Sequence, residues 1–324
     1  MATIAFNDSS DPPPSYDVSV SKDSIRSKQS VFSFIQSKHK ASVLSLIHQI
    51  VSSPGFGVAS VAPIIKSCAA ALPAAKFSKL LQKRNIENHT ALYWAIVNNR
   101  REALLEFVKF IPKFSRACSA DLRLACMAAN DHDSFMLLHL GDNDVDSKDR
   151  SLRRMLGCPL DDIQVREGDT LNVGSNIFFV HFVFRMFQKR LRTARKLEVE
   201  FVAQGRIWML RFGMNMLTGD WFVELGISRD SSAVRPNAVL DIQANKLSPG
   251  SDIMQPLHLY MRTSHILLPG GVCKHYMTGP DTTPAVSWQL SDWPMHANTA
   301  YVDCNGTLTA ELTMTIKPRY PRRG

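Results

Sequence analysis

No stretch of the chain reaches the roughly 18 apolar residues that a membrane-spanning helix needs. The longest apolar region, SVLSLIHQIVSSPGFGVASVAPIIKSCAAAL, is broken by His48, Gln49, Pro54, Lys66 and several serines, so no membrane contact is expected. Among the six cysteines (Cys68, Cys118, Cys126, Cys158, Cys273 and Cys304) there is no Cys-x-x-Cys pair, which argues against a zinc ribbon or a disulfide framework. The first residues lack a basic stretch followed by an apolar core, so no secretory leader is expected and the location is read as cytoplasmic or nuclear. A Gly-rich phosphate loop, a GxSxG elbow and an HExxH helix are all missing. The ten histidines show no metal-ligand spacing, and in VCKH the single pair Cys273 and His275 supplies half of a tetrahedral set. Carboxylates cluster at Asp142, Asp144 and Asp146 and at Asp161 and Asp162, where they read as solvated loop residues. No catalytic residue, metal ligand or cofactor site is expected, and the chain reads as non-enzymatic.

What is present is enough for folding. At 324 residues, 45% hydrophobic and 21% charged, the composition is that of a globular chain long enough for two domains and a tail. The net charge of +9 favours acidic partners. Two local runs carry basic residues, QKRLRTARK from Gln188 to Lys196 and KPRYPRRG from Lys317 to Gly324. The first reads as the solvated part of a strand connection or a short helix and the second as a solubilising tail. The first run has no aromatics interleaved with its charges at a spacing suited to stacking, so nucleic acid is not the expected partner.

Residues 1–30 hold Ser, Asp, Pro and Lys with few large apolar side chains and read as a tether. From Val31 the apolar residues recur at three- and four-residue intervals, as in Val43, Leu44, Leu46, Ile47, Ile50 and Val51, which predicts short helices broken at SSPGFG and at Pro73. NHTALYWAIVNNRREALLEFVKF (Asn88 to Phe110) and SADLRLACMAANDHDSFMLLHLG (Ser119 to Gly141) each read as helix, polar turn, helix, with a weaker copy at Ala62 to Gln82. Repeated helix pairs of this period predict a solenoid. HTALYWAIVNNRREALLEFV resembles an ankyrin repeat. Thr90, Ala91, Leu92 and Tyr93 stand where that family has its Thr-Pro-Leu-His turn, and Ala95 and Ile96 where it has paired alanines. Ala91 replaces the proline, Tyr93 the histidine, and the second copy lacks the turn. The resemblance implies capture of partner peptides, with Tyr93 a candidate contact.

Beyond the charged connector Asn143 to Gly157 the period changes to that of strands. IFFVHFVF, LEVEFVAQG, RIWMLRFGM, DWFVELGIS, AVLDIQAN, LHLYMR, AVSWQL and TLTAELTMTI are short, rich in β-branched and aromatic residues, and separated by turns such as AQGR. With no helical stretch expected between them, they predict an antiparallel β-sandwich. NTAYVDCNGTLTAELTMTI (Asn298 to Ile316) and RIWMLRF resemble the closing and early strands of the MATH domain, the meprin and TRAF homology sandwich. The expected fold is therefore α+β and multidomain: arm 1–30, ankyrin-like helical domain 31–157, β-sandwich 158–317 and basic tail 318–324. Trp208 and Trp288 read as core, whereas Trp293 in DWPMH is the exposed tryptophan expected to meet a partner.

Within the arm, DPPPSYD contains Pro13, Pro14, Ser15 and Tyr16, which fits the PPxY motif bound by WW domains. The prolines pre-set a polyproline II helix, so docking orders little chain, and Tyr16 enters the adjoining pocket. The residues expected to bind partners are thus Pro13, Pro14, Tyr16, Tyr93 and Trp293. The expected function is a protein-binding adaptor, with presentation of partners to a WW-containing HECT ubiquitin ligase implied by the motif. The alternative is a lectin-like or small-molecule-binding sandwich on a helical scaffold.

Overall fold

The computed structural model describes residues 38–53, 58–142, 148–168, 176–214, 221–244, 255–262, 266–269, 282–283, 285–290 and 301–316. Helix α1 covers residues 38–52, followed by α2 (Val58–Ala70), α3 (Ala74–Leu81), α4 (Ala91–Val97), α5 (Arg101–Val108), α6 (Arg116–Ala129) and α7 (His132–Leu137). Local chemistry sets their ends. Pro73, with no N–H to give, stands at the N-cap of α3. The Thr90 hydroxyl accepts the Tyr93 N–H at 3.1 Å to start α4, and the Asp131 carboxylate accepts that of Ser134 at 2.8 Å to start α7. Asn130 closes α6 at φ 52, a left-handed conformation that asparagine tolerates. The last helix was expected to run to Gly141 but stops at Leu137, because His139 takes φ 51 and an α-helix cannot pass through that conformation. A single 3-10 turn, Leu140–Asp142, follows.

The second half forms two antiparallel sheets, so the chain is α+β. The strands are β1 (Asp162–Glu167), β2 (Asn176–Phe184), β3 (Lys196–Ala203), β4 (Arg206–Met214), β5 (Trp221–Ile227), β6 (Pro236–Ile242), β7 (Leu257–Arg262), β8 (Ile266–Leu267), β9 (Thr282–Thr283), β10 (Ala285–Leu290) and β11 (Leu308–Ile316). One sheet has the order β1-β2-β11-β6-β7, the other β10-β5-β4-β3, and β8 and β9 form a separate parallel pair. Alternation places Phe178, Val180, Phe182 and Phe184 of β2 and Leu308, Ala310, Leu312, Met314 and Ile316 of β11 inside. They face Phe201, Trp208, Leu210 and Phe212 of the other sheet across one core. Rings meet edge-on across the gap, Phe182 with Phe201 at 5.6 Å and Phe184 with Phe212 at 5.3 Å. Trp208 is fully buried, as expected, and donates its indole N–H to the Ala203 carbonyl at 3.0 Å. Trp288, also expected in the core, is half-buried and packs on its margin.

Two expectations about this half are corrected. Of the two readings of the run Gln188 to Lys196, strand connection or short helix, the helix holds, as α9 (Phe187–Ala194) between β2 and β3, but the run is not simply solvated. It buries Phe187 and Leu191 against the sheets and raises Arg190 from the supposedly solvated basic run into the interior, 1% exposed. Asp161, read as a solvated loop residue, is 7% exposed and accepts from Arg190 Nη1 at 2.6 Å and Nη2 at 2.9 Å. Asp149 accepts from Nε at 2.8 Å and Nη2 at 2.7 Å, and the Arg185 carbonyl from Nη1 at 2.9 Å. Asp149 belongs to α8 (Lys148–Leu156), so this helix of the charged connector is fastened to α9. Burial alone would favour the neutral guanidine, but the two carboxylates outweigh it and hold Arg190 charged well above the usual arginine value.

The two halves meet at the β3–β4 hairpin. Gln204 and Gly205 turn it with φ 51 and φ 66, and Val202 and Ile207 beside the turn are buried in the helical core rather than the sheet core. Arg123 of α6 grips Glu200 of β3 through two hydrogen bonds, 2.6 and 2.9 Å, while its guanidinium lies over the Phe135 ring. Buried His132 joins three elements: Nε2–H donates to the Ile163 carbonyl at 3.0 Å, and Nδ1 accepts the Val202 N–H at 3.3 Å. Both nitrogens are used only by the neutral ring. Burial holds the His132 value below the ordinary 6.5, although the Ile163 bond and the charges of Asp133 and Asp131 oppose the shift.

Arg190→Ala is expected to lower the unfolding free energy by about 3–5 kcal/mol, since it removes the hydrogen-bonding fork of two buried carboxylates and leaves them Arg153 at 3.5 and 3.8 Å, and chemical denaturation measures it. For His132 the unfolded chain binds the proton first, so its contribution is complete above 6.5 and declines as the pH falls below that value. His132→Asn should therefore flatten the loss of stability between pH 7.5 and 5.5. An unchanged slope excludes this account.

Candidate protein-binding surface

Between α3 and α4 the chain makes a two-residue turn. Ile86 and His89 exchange backbone hydrogen bonds of 3.1 and 2.8 Å, with Glu87 at φ 46 and Asn88 at φ 64 between them. Such a turn points His89 and the start of α4 to the same side. There the His89 and Tyr93 rings stack with centroids 3.7 Å apart and planes 13° from parallel. Trp94 stands edge-on to Tyr93 at 5.3 Å and 79°, and its indole N–H is tied to the Ile86 carbonyl at 3.0 Å. All three residues are half-buried.

The patch is braced from beneath by a side chain of the next helix pair. Asp121 of α6 has no exposed surface. It accepts the Thr90 N–H at 2.7 Å and His89 Nδ1–H at 2.8 Å, and Arg84 Nε lies 3.2 Å away. One carboxylate thus fixes the turn, the imidazole and the N-terminus of α4 together, which is how adjacent helix pairs are coupled.

An imidazole paired with a carboxylate can also serve catalysis, but its surroundings are occupied here. Tyr93 covers the ring face, and the adjacent hydroxyl, Thr90, is fully buried and spent on capping α4. Cys118, one turn before Asp121, is pushed up to about 12, first by burial and then by the Asp121 charge, so it remains a thiol at neutral pH. What the arrangement offers is a rigid aromatic surface with Arg84 at its edge, the side-chain types that anchor protein interfaces.

Of the residues expected to bind partners, only Tyr93 lies within the described structure; Pro13, Pro14, Tyr16 and Trp293 lie outside the described residues, as do Cys273 and His275. His89, Trp94, Arg84 and Asp121 were not singled out. An acid in the largely apolar SADLRLACMAA, which also holds Arg123, was the one available signal for Asp121, and it does not reveal a partner 32 residues away. Among the described residues no three His, Cys, Asp or Glu side chains converge as metal ligands, and no helix is long and apolar enough to cross a membrane. Trp221 and Trp288 lean on the sheet core, and Trp288 donates to the Tyr260 carbonyl at 3.1 Å.

The class these features define is an α+β chain in which a helical stack carries a braced aromatic patch beside two facing sheets. Comparison with protein-family profiles and with curated proteins finds no match, so the functional reading rests on this geometry and on the sequence motifs.

Asp121→Ala should cost about 1–3 kcal/mol by leaving buried donors without an acceptor. Tyr93→Ala, which removes a half-exposed ring, should cost only about 1 kcal/mol. Thermal denaturation of both variants checks the order, and a larger loss for Tyr93→Ala excludes Asp121 as the brace.

Proposed function

We propose that this protein is a non-enzymatic adaptor, cytoplasmic or nuclear, that holds partner proteins on its helical half and recruits WW-domain proteins through Pro13, Pro14 and Tyr16. The observation that carries the reading is the stacked His89–Tyr93 surface fixed by a fully buried carboxylate. Preorganisation of this kind lowers the ordering cost of binding, in addition to coupling the two helix pairs.

Two further features support an ankyrin-like helical half. The pairs α4–α5 and α6–α7 repeat one plan, and Asp121 of the second pair reaches back to the turn of the first. The MATH-like reading of the β half rests on the sequence resemblance of Asn298 to Ile316 and of RIWMLRF. Both domain types capture peptides. A PPxY arm joined to such a body suits presentation of partners to a HECT ubiquitin ligase, with nucleic acid and membranes outside its range.

The full chain retained on a WW-domain array, compared with Tyr16→Ala, tests the recruiting arm. Binding by a subset of WW domains that Tyr16→Ala abolishes is the expected result. Retention unaffected by the substitution removes WW recruitment from the proposal.

A further inference from the structure

The net charge of +9 has a definite location. Residues 24–86 hold nine Lys and Arg and no Asp or Glu, while the remaining 29 basic residues are matched by 29 acidic ones. Seven of the nine lie at or after Lys38, in the segment that forms α1, α2 and α3 and the turn after them. The excess charge thus belongs to one end of the helical half.

A cleft of about 760 Å³ opens on that end, within the size range of ligand sites. On one side it is floored by Ala74, Ala75 and Ser78 on the outer face of α3, whose opposite face buries Phe77, Leu80 and Leu81. Because these floor side chains are small, the space beside Phe110 and Pro112 is left open. The walls are already set: Phe110 packs edge-on to Phe77 with centroids 5.2 Å apart, and the Gln82 side-chain oxygen accepts the Ser115 N–H at 2.7 Å. Lys79 and Lys83 stand exposed at the rim. Neither is ion-paired among the described residues, whereas Lys109 nearby is neutralised by Glu106.

We infer that this cleft docks an acidic amphipathic segment of a partner protein, its Leu- or Phe-type side chains on the Ala74–Ala75 floor and its carboxylates on Lys79 and Lys83. The inference rests on the adaptor reading and names the chemistry of one partner. A polynucleotide fits less well, since phosphates have no use for an apolar floor and base stacking needs a series of exposed rings, where the cleft offers only Phe110. An acidic peptide uses both the floor and the rim.

The test is selection of a displayed library of random 16-residue peptides on the full chain, followed by fluorescence anisotropy with the recovered peptides. Recovered sequences should combine Asp or Glu with Leu or Phe. Lys79→Glu with Lys83→Glu should weaken them about tenfold, and so should Ala75→Trp, which fills the floor. Lys38→Glu with Lys40→Glu makes the same change in net charge on side chains that do not line the cleft and should leave binding within about twofold. Equal weakening by the two charge pairs, insensitivity to Ala75→Trp, recovery of peptides without acids, or tighter binding of a 16-nucleotide single-stranded DNA each overturns the inference. Tyr16→Ala should retain the recovered peptides, so a failed WW interaction and a failed cleft are told apart.

Discussion

A guanidinium with no solvent around it needs five acceptors, and Arg190 has five, from Asp149, Asp161 and the Arg185 carbonyl. This requirement organises the region where the chain changes from helices to sheets. Asp149 comes from α8, Asp161 from the residue before β1, and Arg190 from α9 between β2 and β3. None of the three can be buried without the others, because each buried charge is tolerable only with its partners in place. Asp161 also accepts the Arg185 N–H at 3.0 Å, so the same carboxylate fixes the bend that leads from β2 into α9. The connector that the sequence marks as a charged spacer is thereby held to the β half.

The junction between the halves follows the same logic with different chemistry. Two residues of the β3–β4 hairpin, Val202 and Ile207, complete the helical core, so the two hydrophobic clusters remain separate but share a strand pair. On that strand pair successive outward positions alternate in kind: Val202 is buried among the helices, and Glu200 is gripped by Arg123. His132 closes the arrangement by satisfying one backbone group from each sheet, the Ile163 carbonyl of β1 and the Val202 N–H of β3. A backbone polar group at such a junction has no ladder partner on the helical side, and a side chain with both a donor and an acceptor fills the place.

Periodicity made most of the fold legible. LHLYMR and AVSWQL coincide with β7 and β10, and RIWMLRFGM with β4, because alternation and turn residues agree at those places. β1 escaped since Asp162, Arg166 and Glu167 surround its two inward residues, Ile163 and Val165, at the edge of the sheet. The burial of α9 was hidden by its own charges: a basic run reads as solvated until a buried pair of aspartates from distant segments is known to await one arginine. The aromatic patch was half legible. Tyr93 stands out by its place in HTALYWA, but His89 and Trp94 gain meaning only from the turn at Glu87–Asn88 and from Asp121, and local patterning carries no information about a contact across 32 residues.

The division of labour between the two basic residue types follows from these contacts. Where a cation must be held inside or at a junction, the chain uses arginine, as in Arg190, Arg123 and Arg211, the last bridging Glu198 and Glu224 across three strands. The planar fork satisfies two carboxylates at once and is less strongly hydrated than an ammonium, so burial costs less. These structural pairs consume acids of the β half and the junction. Lysines predominate where acids are missing, along α1 to α3, and two of them, Lys79 and Lys83, stand exposed at the rim of the cleft. A local surplus of like charge raises self-repulsion at one end of the molecule. That cost is sensible only if the surplus acts on something outside the fold, and the small-residue face of α3 is where such a field and an apolar floor coincide.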